Sequence, residues 1–166
     1  MPSYTHLAYR RNAKAAARKQ QIKKPKNQEA LLKAREDFGY FCEYVADKPP
    51  AEHHKTWHRH FITNEDSSCL LKIAGPNVDL LAPRGSAKST VLGLLTAWAI
   101  GIHTQAKQPL QVLYLSYTVD IARSKSATIK RIIESKRYQE VFPKVRLLKN
   151  VTSNEYWSID HKFAGI

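Results

Sequence analysis

Eight consecutive residues, Ala82-Pro83-Arg84-Gly85-Ser86-Ala87-Lys88-Ser89, constrain this chain more than any other stretch. A strand-like run, Val78-Asp79-Leu80-Leu81, leads into them, and an apolar helical pattern follows from about Lys88. Strand, turn and helix in that order describe a phosphate-binding loop, where backbone N–H groups wrap an anion and the helix start adds its own unpaired donors. The full pattern asks for glycine, four residues, then Gly-Lys-Ser/Thr. Both of those glycines are alanine here, at 82 and 87, and the internal glycine is Gly85. The pattern is degenerate, and its weight comes from its place between a strand and a helix.

The chemistry of such a loop assigns roles. Gly85, Ser86 and Ala87 offer backbone N–H groups, Lys88 neutralises the β- and γ-phosphates of ATP, and the Ser89 hydroxyl reaches Mg2+. Pro83 and Thr90 complete the binding segment, Thr90 in a structural part. Arg84 has two readings, a guanidinium that approaches the γ-phosphate in the transition state or a solvated turn arginine. Lys88 and Arg84 are the catalytic candidates.

The surrounding pattern is α/β. Leu31, Phe38, Phe41, Cys42 and Val45 fall on one face of a helix over 27–46, stopped by Pro49 and Pro50. A second helix is expected over 52–61. Leu110-Gln111-Val112-Leu113-Tyr114-Leu115-Ser116 reads as a buried strand, and Thr118 caps a helix reaching about Ser135. Tyr156-Trp157-Ser158-Ile159 is a further strand candidate. The order β-α-β-α predicts an incomplete parallel P-loop NTPase sheet with flanking helices, preceded by a helical lead-in and a basic disordered arm. The organisation expected is an arm at 1–26, a lead-in at 27–65 and the front part of an ATPase domain at 66–166.

Charge points to the partner class. The chain of 166 residues carries a formal net charge of +13, which attracts phosphate polyanions. The arm alone holds Arg10, Arg11, Lys14, Arg18, Lys19, Lys23, Lys24 and Lys26 and no acid, with Tyr4 and Tyr9 available for base stacking. An organellar transit peptide is a weaker reading of the same arm. Two cysteines, Cys42 and Cys69, make no disulfide framework or metal spacing, which fits a reducing compartment. The longest apolar stretch, 91–102, is short of a membrane span, and no secretion signal opens the chain.

Taken together, Pro83-Arg84-Gly85-Ser86-Ala87-Lys88-Ser89-Thr90, His53-His54 with Trp57 upstream, Leu113-Tyr114-Leu115-Ser116-Tyr117-Thr118 downstream and the segment 138–143 resemble the large terminase subunit of tailed bacteriophages. The resemblance covers about residues 28–166. It implies an ATP-driven motor followed by a metal-dependent nuclease, packing double-stranded DNA with the portal and the small terminase subunit in the host cytoplasm. Arg-containing, glycine-poor loops are usual in that family. The apolar strand ending in Asp-Glu that such an ATPase needs is missing. Asp160 is the nearest candidate, but Ser158 interrupts its strand and His161 stands where the second carboxylate belongs. The chain alone is therefore expected not to hydrolyse ATP efficiently, whether it is a shortened product, part of an interrupted gene or a short protein with its own role. The alternative is a non-enzymatic protein that binds nucleic acid or an intact motor. A P-loop helicase shares the strand-turn-helix logic, but the loop arginine and the His-His pattern favour the terminase.

Two further groups carry readings. His54 and His58 share a helix face at zinc-compatible spacing, yet no glutamate or cysteine completes a set; packing near a nucleotide base or against the helix suits them and Trp57 better. Arg123, Lys125, Lys130, Arg131, Lys136 and Arg137 form a basic helix face, either solvated or lining a DNA path. Ser116, Tyr117 and Thr118 stand where ligands of parallel sheets bind, with helix capping the simpler account of Thr118.

Overall fold

The computed structural model describes residues 28–61 and 79–159. The basic arm, the polar loop at 63–68, Cys69, Val78 and Asp160 lie outside them. The chain divides into two compact units, 1–31 and 32–166. Of the first, only the opening turn of a helix is described.

That helix, α1 (Gln28–Glu36), and α2 (Phe38–Ala46) replace the single helix expected over 27–46. The break is Asp37. Its backbone is extended (φ −116°, ψ 113°), and its carboxylate accepts the Tyr40 N–H at 2.8 Å, so a side chain that competes for backbone donors starts a new helix. Helix α2 stops at Asp47, which turns left-handed at φ 54° and returns its N–H to the Glu43 carbonyl at 3.0 Å. Pro49 and Pro50 lie beyond that stop.

Helix α3 (Glu52–Phe61) occupies the segment read for it, and α4 (Lys88–Gln105) begins at Lys88 as expected. Thr118 caps α5 (Val119–Glu134), its hydroxyl accepting the Ile121 N–H at 3.3 Å. Ser135 ends α5 and caps α6 (Lys136–Val141) through the Tyr138 N–H. The Gln139 amide donates to the carbonyls of Ile133 and Val145, at 2.6 and 2.8 Å, and ties the two helices across their junction.

Helix α4 is apolar on most sides and packs against α5 and α2, burying Val91, Leu94, Ala97, Trp98, Ala99 and Ile100. Aromatic rings fill the remaining space. Phe41 meets Tyr138 edge-on at 6.1 Å, Tyr138 meets Phe142 at 5.2 Å, and Phe38 meets Trp98 at 5.6 Å. Burying each such ring contributes about 1.5–3 kcal/mol. Their polar atoms are satisfied: Tyr138 donates to the Ala97 carbonyl at 2.8 Å and Trp98 to the Ala34 carbonyl at 3.1 Å.

The expected parallel sheet is not formed. The fold is mostly helical, and among the described residues its one sheet pairs β1 (Leu147–Thr152) with β2 (Trp157–Ile159) antiparallel, Leu147 opposite Ile159 and Thr152 opposite Trp157. Ser153 closes the turn, accepting the N–H of Tyr156 at 2.9 Å. The described part of the run at 78–81 and the segment 110–116, read as parallel strands, carry no ladder among the described residues. Their β-branched and apolar residues suit a strand, but propensity describes a fit to neighbours, and a strand exists only where its backbone finds a partner. Leu81, Leu113, Leu115 and Tyr117 are instead 94%, 81%, 79% and 96% exposed. No described helix is long and apolar enough to cross a membrane.

Candidate functional site

The segment 82–89 forms a tight turn that runs directly into α4. Gly85 takes φ 86°, a left-handed backbone that glycine adopts without steric cost. Ala87, two residues on, takes φ 56° and occupies the N-cap of α4. Side chains that cap a helix do so from an extended backbone, as Asp37 and Thr118 do, and Ala87 has neither that backbone nor a side-chain oxygen. Thr90 and Val91 both donate to the Ala87 carbonyl at 3.0 Å. Among the described residues, the N–H groups of Gly85, Ala87, Lys88 and Ser89 have no acceptor. Left-handed geometry at a residue with a Cβ costs about 1–2 kcal/mol and recurs where a loop must present its backbone to a ligand.

Four carbonyls of the turn, those of Ala82, Pro83, Ser86 and Ala87, are occupied, while those of Arg84 and Gly85 accept no hydrogen bond among the described residues. Lys88 crosses the loop and donates from Nζ to the Ala82 carbonyl. The Pro83 carbonyl accepts both the Ser86 hydroxyl, at 2.8 Å, and the Ser86 N–H, at 3.4 Å. Ser86 therefore spends its N–H inside the turn, unlike the role read for it, and the open donors lie on either side of it. The Ser86 carbonyl meets His54 Nε2 at 2.9 Å. Arg84, Ser89 and Thr90 are exposed, Arg84 with no ion pair among the described residues.

The histidines of α3 separate. His54 sits beside the turn, its ring 4.0 Å from that of His53 and 5.1 Å from that of Trp57. His58 faces inward, stacked on Phe38 at 4.8 Å and against Trp98 at 5.6 Å. The two rings that helical spacing places on one face serve different neighbours, and no three His, Cys, Asp or Glu gather among the described residues as a metal set. Nothing in the sequence pattern singles out the link from His54 to Ser86, since it joins residues 32 apart.

The basic face of α5 and α6 is partly neutralised by the chain itself. Arg123 pairs with Glu155 and, at 3.5 Å, with Asp120; Arg137 pairs with Asp47; Lys130 reaches the Ser153 carbonyl at 3.5 Å. Glu155 and Asp47 come from distant segments, so a helical wheel does not reveal them, whereas Asp120 lies on α5 three residues before Arg123. The eight cations of the arm lie outside the described residues. No family model, curated protein or solved structure matches the chain.

Proposed function

We propose that the turn at 82–89 binds the triphosphate of ATP with Mg2+, and that the chain is the ATP-binding portion of a viral DNA-packaging motor of the terminase type. The observation that carries the reading is the pairing of Gly85 and Ala87 in left-handed geometry beside Lys88: four backbone N–H groups of the turn are open among the described residues, and the Lys88 side chain folds across it. A polyphosphate entering there meets the N–H groups of Gly85, Ala87, Lys88 and Ser89. Lys88 leaves the Ala82 carbonyl for the stronger attraction of the β- and γ-phosphates, the Ser89 hydroxyl reaches the magnesium ion, and Arg84 approaches the γ-phosphate. Pro83 fixes the entry of the turn, and Thr90 holds the first turn of α4.

Double-stranded DNA is the proposed partner, drawn by the net charge of +13 and above all by the cations of the arm. Hydrolysis coupled to DNA movement belongs to the full motor, because the second carboxylate of the site has no counterpart here. The test is a titration of a non-hydrolysable ATP analogue with Mg2+ against the wild type and Lys88→Ala. Wild-type binding lost in Lys88→Ala supports the reading; equal binding by both sinks it.

A further inference from the structure

The ring of His54 bonds at both nitrogens, and the bonds determine its proton. The Ala51 N–H points at Nδ1, 3.2 Å away, and an amide N–H only donates, so Nδ1 presents a lone pair. The Ser86 carbonyl, 2.9 Å from Nε2, only accepts, so Nε2 carries the hydrogen. The ring thus spans the start of α3 and the turn before α4, held against His53 and Trp57.

The peptide joining Ser86 to Ala87 is planar and trans, so its C=O and its N–H point in opposite directions. Anchoring the Ser86 carbonyl therefore aims the Ala87 N–H. A carbonyl turned into the same space would repel a phosphate; the Pro83 carbonyl anchors Ser86 on one side and the first turn of α4 holds the Ala87 carbonyl on the other, and the partner of the peptide's own C=O among the described residues is His54.

We propose that His54 is a positioning residue of the phosphate-binding turn, its Nε2–H holding the Ser86 carbonyl outward so that the Ala87 N–H faces the phosphate. The inference rests on the phosphate reading above and locates the role of His54 at the loop rather than at a nucleotide base.

The full chain, bound to tripolyphosphate with Mg2+ and separately to a non-hydrolysable ATP analogue with Mg2+, distinguishes these. His54→Ala is expected to weaken both ligands alike, by about fivefold, the scale of one lost hydrogen bond, and His54→Gln, which keeps a donor near the position of Nε2, is expected to recover most of the loss. Weaker binding of the ATP analogue alone would mean contact with the base and overturn the proposal, as would unchanged binding of both. Lys88→Ala separates the two levels. If it abolishes binding while His54→Ala does nothing, only the positioning role fails; if it binds like the wild type, the phosphate reading fails and takes this role with it. A measurement without ligand is the imidazole nitrogen spectrum, which should show His54 protonated at Nε2 and bare at Nδ1. The opposite tautomer overturns the proposal whatever the binding data.

Discussion

The ring of Phe142 fills the space that a side chain on Gly101 would need: a Cβ at that position would lie 2.5 Å from two of its carbons. Helix α4 is thus packed against the end of α6 as closely as a backbone allows. Gly101→Ala must push the Phe142 ring off its contacts with Phe41 and Tyr138, and overpacking of this kind costs about 1–3 kcal/mol. A urea midpoint unchanged by Gly101→Ala, despite alanine's better helix propensity, would contradict this packing.

Tyr138 offers a polar test of the same core. Its hydroxyl is the hydrogen-bond donor to Ala97 in a region closed to solvent. Tyr138→Phe keeps the ring and removes the donor, leaving a carbonyl under-satisfied, and should destabilise the fold by about 1–2 kcal/mol with the helical signal intact. Thermal unfolding followed by circular dichroism measures it.

The alkaline limb of stability follows from protons that the fold retains on the buried Cys42 thiol and the half-buried Tyr44 hydroxyl, beside the Tyr138 hydroxyl, which burial also raises. Burial pushes the Cys42 thiol up to about 12; burial, and then the hydrogen bond to Glu140, push the Tyr44 hydroxyl up to about 12. Both groups are neutral when protonated, so the folded chain keeps its protons where the unfolded chain, with ordinary values of 9.0 and 10.0, releases them. Stability is whole below about pH 9 and is lost as the pH rises toward 12. Cys42→Ala should remove the part of the decline that begins near pH 9, and urea midpoints measured between pH 7 and 11.5 would reveal it.

The two left-handed residues of the turn should respond to substitution with opposite signs. Nothing lies within 4 Å of a Cβ built on Gly85, so Gly85→Ala meets only the backbone penalty of φ 86°, about 1 kcal/mol. Ala87→Gly removes a similar penalty and should leave stability equal or raise it by up to about 1 kcal/mol. Chemical denaturation of the two variants side by side decides the matter; a loss in both would mean that Ala87 is not held left-handed.

The features that sequence reading recovered are local ones. Thr118 announces its helix because a hydroxyl at that position captures an N–H three residues away, and Lys88 opens α4 because an apolar pattern begins there. Asp37 could have been found by the same reasoning, since an aspartate before Phe38 is a cap signal; the continuous apolar face across it hid the break. The parallel sheet failed for a different reason. Leu110 to Ser116 have the composition of a strand, but pairing is a property of two segments, and no local pattern states whether the second is in reach. The site divides along the same line: Gly85 and Lys88 are legible in the turn, while the bond from His54 and the occupied carbonyls depend on how α3 meets it.

The segment at 110–117, unpaired among the described residues, contains no charged residue and no proline, yet it belongs to a molecule of net charge +13. Edge strands are ordinarily guarded by a lysine, a proline or a bulge, and this segment, strand-like in composition only, has neither lysine nor proline. The net charge opposes the approach of a second copy, with a reach of about 30 Å at 0.01 M salt and about 3 Å at 1 M. Dilute buffer is therefore the medium expected to keep the molecule dispersed, and concentrated salt the medium that leaves Leu113, Leu115 and Tyr117 free to find one another, an outcome that light scattering across a salt series would measure.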